Sequence, residues 1–348
     1  MTTLAGRPAG AGVRPRRRAG RRIGATAAAA VLLLVAVLAS LALGSKPLPP
    51  AEVWHALVAP DGGEASTIVR ELRVPRTLLG LLVGPALALA GLLLQALTRN
   101  PLAEPRILGV SAGASLGVVL AIAVFGIGTL AGYVWFGIVG ALLAGLLVYG
   151  IANRAREGAS PVTLALVGVA LDASLGATVV ALLTIDARTF EEYRFWVVGA
   201  LTGRDAGVAA QVAPFVLAGV LLAAFAARGL DALALGDDVA RGLGHRVGLV
   251  RLAGGAGAVL LTGAAVAATG PIAFVGLAVP HLARALVGAD HRWALAVAAL
   301  LGPALLLAAD VIGRLVAPPG EVPAGIVTAL LGAPLLVVLI RRARVVTA

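Results

Sequence analysis

Cysteine is absent from the 348 residues, and lysine and methionine occur once each. Without cysteine there is no disulfide, no thiolate metal site and no thiol nucleophile. The single lysine, Lys46, is followed by Pro47, so no Gly-Lys-Ser/Thr phosphate loop exists to cradle ATP. Any ATP-driven role requires an ATPase on a different chain. His55, His245, His281 and His291 include no i, i+4 pair of the kind that holds zinc on a helix. With no cysteine, histidine cluster or paired-carboxylate site, an intramembrane enzyme is a third class with little to build on, and no catalytic residue, resident metal or cofactor is expected.

Only 13% of residues are charged, and 60% are hydrophobic. The charges cluster between apolar runs of about 20 residues, the length a helix needs to cross hydrocarbon. Alternating barrel patterning is missing. The fold class is therefore all-α and polytopic, with ten transmembrane helices: Ile23–Leu43, Leu78–Leu97, Ile107–Gly126, Tyr133–Ala152, Val162–Thr184, Ala206–Ala227, Leu252–Thr269, Ile272–Val287, Trp293–Gly313 and Val322–Ile340. A basic tail (1–22) precedes a permease-like membrane domain (23–341), and a short tail (342–348) follows. A signal peptide competes for the first run, but its apolar core is usually about 7–15 residues; an uncleaved helix is expected. A short amphipathic helix is expected at Ala51–Val58, and another amphipathic piece lies between Ile185 and Asp205. Glycines at 80, 84, 91, 109, 113, 117, 254, 255 and 257 permit close helix packing in lipid. Prolines at 85, 214, 271, 280, 303 and 334 kink or end helices.

An even number of spans puts both termini on one side. The tails and alternate loops on that side hold twenty basic and six acidic residues; the other side holds eight basic and ten acidic. The positive-inside rule makes the basic side cytoplasmic, and the net charge of +11 records topology rather than nucleic-acid binding.

The polar island Arg228–Arg251 then lies in the cytoplasm. Asp231–Leu235, carrying Ala232, Leu233 and Leu235, makes one helical turn ended by Gly236. Asp237 is placed to cap a second short helix, Asp238–Leu243, closed by Gly244. Such a knob suits either a protein partner's grip or the lipid headgroups. On the opposite side, Arg73, Arg76 and Arg314 are read as outward-facing charges for an acidic protein partner. The alternatives are headgroup anchoring for the pair and an Asp310–Arg314 ion pair for the third. Asp172 is an acid well inside a predicted span, which makes it either a functional group or a structural one, protonated or paired with Ser174. Gln95 is expected to bond across helices.

Four stretches carry a resemblance: RVPRTLLGLLVGPALALAGLLLQALTRNPLAEPRILGVSAGASLG, LDALALGDDVARGLG, TGPIAFVGLAVPHLARALVGADHR, and ADVIGRLV with GEVPAGIVTALLGAPLLVVLIRR. In matching order, and over nearly everything after residue 30, the chain resembles the permease family of ATP-binding-cassette importers for iron-siderophores, haem and vitamin B12. The resemblance implies a vitamin-B12-importer-like permease fold that pairs with a second permease subunit, as a homo- or heterodimer, around a central path. It also implies two cytoplasmic ATPase subunits, an extracytoplasmic substrate-binding protein and a place in the cell membrane. The loop matching Leu230–Val247 becomes the coupling element, with Leu233, Leu235, Gly236, Asp237, Asp238, Arg241, Leu243 and Gly244 as its contact residues. Arginines matching Arg73, Arg76 and Arg314 meet acids on the binding protein. The helix matching Val162–Thr184 lines the path, which brings in Asp172, Ser174 and Thr178, and the following loop is the outer gate. Asp172 departs from the small or hydroxyl residue usual there, and the N-terminal arginines lie outside the family pattern. The expected cargo is a ferric siderophore, with haem or cobalamin as alternatives. The rival class is a proton-coupled secondary transporter using Asp172.

Overall fold

The computed structural model describes residues 15–155 and 160–346; most of the N-terminal arginine tail, residues 156–159 of the basic loop and residues 347–348 lie outside the described residues. Among the described residues every regular element is helical. Helix α1 (Pro15–Ala42) leads to α2 (Pro50–Val58), and the single turn α3 (Glu64–Thr67) runs through a π-helical turn (Ile68–Arg73) into α4 (Val74–Thr98). A 3₁₀ turn at Pro105–Leu108 precedes α5 (Val110–Ala123), α6 (Leu130–Arg154), α7 (Pro161–Ile185) and α8 (Ala187–Val197). Then follow α9 (Ala206–Leu233), α10 (Asp237–Gly242), α11 (Val247–Thr269), α12 (Val275–Val287), α13 (His291–Val316) and α14 (Ala324–Val346).

Among the described residues, seven helical stretches, those of α1, α3–α4, α6, α7, α9, α11 and α13, are long and apolar enough to cross a membrane. The third, eighth and tenth predicted spans fall on shorter apolar helices, Val110–Ala123, Val275–Val287 and Ala324–Pro334. The third and eighth are cut back at their N-termini by backbone that cannot continue a helix. Gly109 is left-handed before α5, and Gly270, Pro271 and the left-handed Phe274 precede α12. At 14 residues, α5 is about 21 Å long, short of the roughly 30 Å of hydrocarbon.

Helix α4 is the axis of the bundle. Its apolar window is 78% buried, against 11% for α7 and 17% for α1. Small residues let neighbours approach it. A Cβ on Gly84 would stand 2.3 Å from the Pro303 Cα of α13, and one on Gly91 only 1.8 Å from the Gly276 carbonyl of α12. Gly113 and Gly117 of α5 meet Gly140 and Phe136 of α6 in the same way. With no hydrophobic drive between helices in lipid, this backbone proximity supplies the dispersion contact that holds them together. Gly255 departs from the pattern: a Cβ there would meet nothing within 4 Å. As expected, Gln95 bonds across helices, donating to the Gly276 and Leu277 carbonyls of α12 while its Oε1 accepts from Arg284.

Contacts sort the loops onto two ends. At one end Arg99 meets Asp237, Arg22 meets Asp290, and His291 meets Asp231. The residues Ser40, Arg73, Arg76, Thr202, Arg314 and Glu321 meet at the other. Two of the N-terminal arginines also have structural partners: Arg21 donates to the Ala285 carbonyl, and Arg22 donates to the Val287 carbonyl and stands over the Trp293 ring.

Candidate functional site

The polar island folds differently from the two separate turns expected. Helix α9 runs unbroken from its apolar span through Arg228 to Leu233, because Arg228–Leu233 continue its periodicity with Gly229, Leu230, Ala232 and Leu233 buried. Gly236, at φ +111°, then turns the chain and is itself the N-cap of α10. Asp237 is therefore not a cap. Its Oδ1 takes Arg99 at 2.6 Å and its Oδ2 takes Arg251 at 2.8 Å. Arg99 also donates to the Leu233 carbonyl at 2.9 Å and has a left-handed backbone (φ 49°) at the C-terminus of α4, a conformation that non-glycine residues adopt at a cost. One carboxylate thus ties the knob to the central helix α4 and to α11.

The outer surface of the knob is apolar. Leu235, Val239 and Leu243 are 66%, 48% and 61% exposed, one in the turn before α10, one within it and one at its C-cap. Asp238 and Arg241 pair beside them at 2.8 Å, Gly244 closes the element at φ +83°, and Ala240 is packed inward. Of the residues expected here, Leu233 is buried and belongs to the support rather than the surface. Val239, Arg99 and Arg251 were missed. The helix stop at Arg99 is legible from Pro101, but the reach of its side chain to Asp237 is not.

The arginines at the other end require a correction. Arg73, Arg76 and Arg314 are only 5%, 7% and 2% exposed, not outward-facing. Arg73 donates to the carbonyls of Leu41, Ala42 and Lys46 at 2.7, 2.8 and 2.5 Å, capping the C-terminal end of α1. Arg76 holds Asp310 at 2.7 Å, Glu321 at 2.7 Å and the Thr202 hydroxyl at 3.3 Å. Arg314 donates to the Ser40 and Leu43 carbonyls at 2.9 Å each and reaches Asp310 at 3.1 Å. The internal Asp310–Arg314 pair, weighed as an alternative, is the arrangement present. Asp310 is fully buried between two arginines, so the cluster locks α1, α4, α13, the segment before α9 and the segment before α14 together. Glu321 was not anticipated as a member.

The residues expected along the path separate. Helix α7 leaves a continuous exposed stripe through Ala170, Ser174, Thr178, Ala181 and Thr184. Its hydroxyls donate back to carbonyls four residues earlier, as Ser174 to Ala170 and Thr178 to Ser174, so the stripe costs little to expose to lipid, water or a partner helix. Asp172 is half-buried and, at about 100° per residue, points roughly 160° away from Ser174. Its backbone nitrogen lies 3.4 Å from where a Gly109 Cβ would stand, beside the turn before α5. The pairing with Ser174 does not form, and Asp172 does not share a face with Ser174 and Thr178. After α7, Asp186 caps α8, accepting from Thr189 Oγ1 at 2.5 Å and from the Arg188 N–H. The Thr189 hydroxyl first, and then the backbone donors, hold its carboxyl below the ordinary carboxylate range.

This architecture has close relatives. The model of the FecCD transport family matches residues 32–342. The ferric enterobactin transport system permease protein FepD of Escherichia coli is 44% identical over 312 residues, which is 90% of this chain and 93% of that protein. The iron(3+)-hydroxamate import system permease protein FhuB of Bacillus subtilis is 40% identical over 315 residues, 90% of this chain and 82% of that one. A solved structure, described as an inward-facing conformation of a metal-chelate type ABC transporter, superposes with a TM-score of 0.79 at 29% identity, covering 93% of this chain and 99% of that one. An all-helical bundle with a wired knob at one end, matched along nearly its whole length by iron-chelate permeases, is a member of the FecCD transport family.

Proposed function

We propose that this chain is the membrane-spanning permease subunit of an ATP-driven importer that carries a ferric siderophore across the cell membrane, with both termini and α10 in the cytoplasm. The observation that carries this reading is the knob: three exposed apolar side chains, Leu235, Val239 and Leu243, on an element wired through Asp237 to α4 and α11. Exposed apolar residues on a rigid element suit insertion into a partner's groove, and ionic ties to the axial helix suit transmission of movement. Two ATPase subunits bind there and supply the hydrolysis that this lysine-poor chain cannot. A second permease subunit completes the path, with the small and hydroxyl stripe of α7 facing it. Support for iron chelates as cargo comes from what the relatives are named for; haem and cobalamin remain alternative cargoes.

The substrate-binding protein docks at the opposite end. Arg73, Arg76 and Arg314 act there as buttresses that fix the shape of the docking platform, their charges being taken by this chain's own carbonyls and carboxylates. The proton-coupled alternative loses its support because Asp172 is turned away from the exposed face of α7. The test is the double substitution Val239→Asp and Leu243→Asp in the assembled transporter, assayed by chelate uptake and ATP hydrolysis. Uptake driven by ATP should fall to background while the chain still folds and inserts. Full coupling in that variant would remove the assignment.

A further inference from the structure

Near the α10 end an apolar groove of about 410 Å³ opens between α4, α6, α7 and α11, and of its lining only Arg251 enters the coupling assignment. Its polarity is one-ended. Thr98, Tyr149, Asn153 and Arg251 all lie on the α10 side of their helices, and the rest of the lining is leucine, valine, alanine and glycine apart from these four. Along α11 it extends from Gly248 to Leu260, about 18 Å at helical rise, somewhat more than half of the roughly 30 Å hydrocarbon thickness. Its floor is open by sequence: Gly248 and Gly255 of α11 have no atom within 4 Å of where a Cβ would stand. The rims expose Leu146 and Leu252, as a wall bathed in acyl chains does. Exposed Arg154 and Arg246 follow Asn153 and precede α11, adding positive charge beside Arg251.

We infer that this groove binds one anionic glycerophospholipid from the leaflet on the α10 side. An acyl chain fills the apolar length and the phosphate rests on Arg251 with Asn153 and Tyr149. Basic pockets between membrane helices recognise anionic headgroups through this combination of charge and depth. A metal chelate fits less well, because the polar donors it would need are confined to one end. The site has a consequence for coupling: Arg251 is also the partner of Asp237 at 2.8 Å, so a phosphate on its guanidinium competes with the tie that anchors α10. The inference needs the bundle to sit in a bilayer but not the identity of the cargo.

The test extracts the full chain from membranes in mild detergent and counts retained lipid by native mass spectrometry, with phosphatidylglycerol and phosphatidylcholine as probes. One phosphatidylglycerol per chain is expected to remain bound. Gly255→Leu, with Ala256→Leu as a second variant, fills the groove and should reduce retention about tenfold without lowering the melting temperature. Arg251→Gln should keep lipid binding but cut the preference for phosphatidylglycerol roughly fivefold. No retained lipid, or retention unchanged in both groove-filling variants, would overturn the inference. So would a groove protected by a ferric chelate or by a second copy of the chain in place of lipid.

Discussion

The two ends of the bundle use the same residue types to opposite effect. At the Arg76 end, the three arginines and Asp310 are buried and paired within the chain: Asp310 is sealed between Arg76 and Arg314, and Arg73 is spent on backbone carbonyls. At the α10 end the tethering charges of Arg99, Asp237 and Arg251 are partly exposed, and leucine and valine face outward beside the exposed Asp238–Arg241 pair. The contrast inverts the first intuition that charge marks a docking surface and apolar residues mark structure. In a membrane bundle, a helix end loses water on both sides, so its unsatisfied carbonyls recruit arginines. A loop outside the bilayer has water for its charges and can leave apolar residues for a partner.

The contrast can be broken most forcefully at Asp310. Asp310→Asn leaves the buried Arg314 guanidinium without its counter-charge and Arg76 with Glu321 alone, which should destabilise the fold by about 3–5 kcal/mol, read as loss of monodisperse protein or a large drop in melting temperature. By the same logic Arg73→Glu with Arg76→Glu should abolish folding and ATPase assembly together. Assembly retained with only binding-protein capture lost would show that these arginines face outward after all. Glu321→Gln is a milder probe, because Arg76 keeps Asp310; a loss of about 1 kcal/mol is expected, measured as a small melting shift. At the other end, Val239→Asp with Leu243→Asp should alter stability by no more than about 0.5 kcal/mol while uncoupling ATP hydrolysis from uptake. A large melting shift there would mean that the knob's apolar face is part of the fold and not a contact surface.

How much of this was legible beforehand follows the range of the forces involved. Helix positions were readable because twenty-residue apolar runs are local, and of the three inexact spans the third and eighth are interrupted by Gly109 and by Gly270, Pro271 and Phe274. The two-sided distribution of loops was readable from the alternation of the spans. The knob falls within the expected residues but is built differently: an unbroken α9 extends to Leu233 because its buried face continues, and Asp237 serves Arg99 and Arg251, respectively 138 and 14 residues away. The burial of Arg76 depended on Glu321, 245 residues downstream, a partnership no window of sequence displays. Likewise Asp172 and Ser174 were grouped by proximity in the chain, although two residues on a helix point to nearly opposite faces.

The absence of cysteine allows a direct measurement of where motive force enters. A single cysteine placed at Leu243, or at the exposed Leu72 of the opposite end, is the only thiol this chain will carry. Cross-linking to single-cysteine ATPase subunits in the assembled transporter should proceed from position 243 and not from position 72, with yield changing when nucleotide is added. Cross-linking from position 72 with none from 243 would contradict the account.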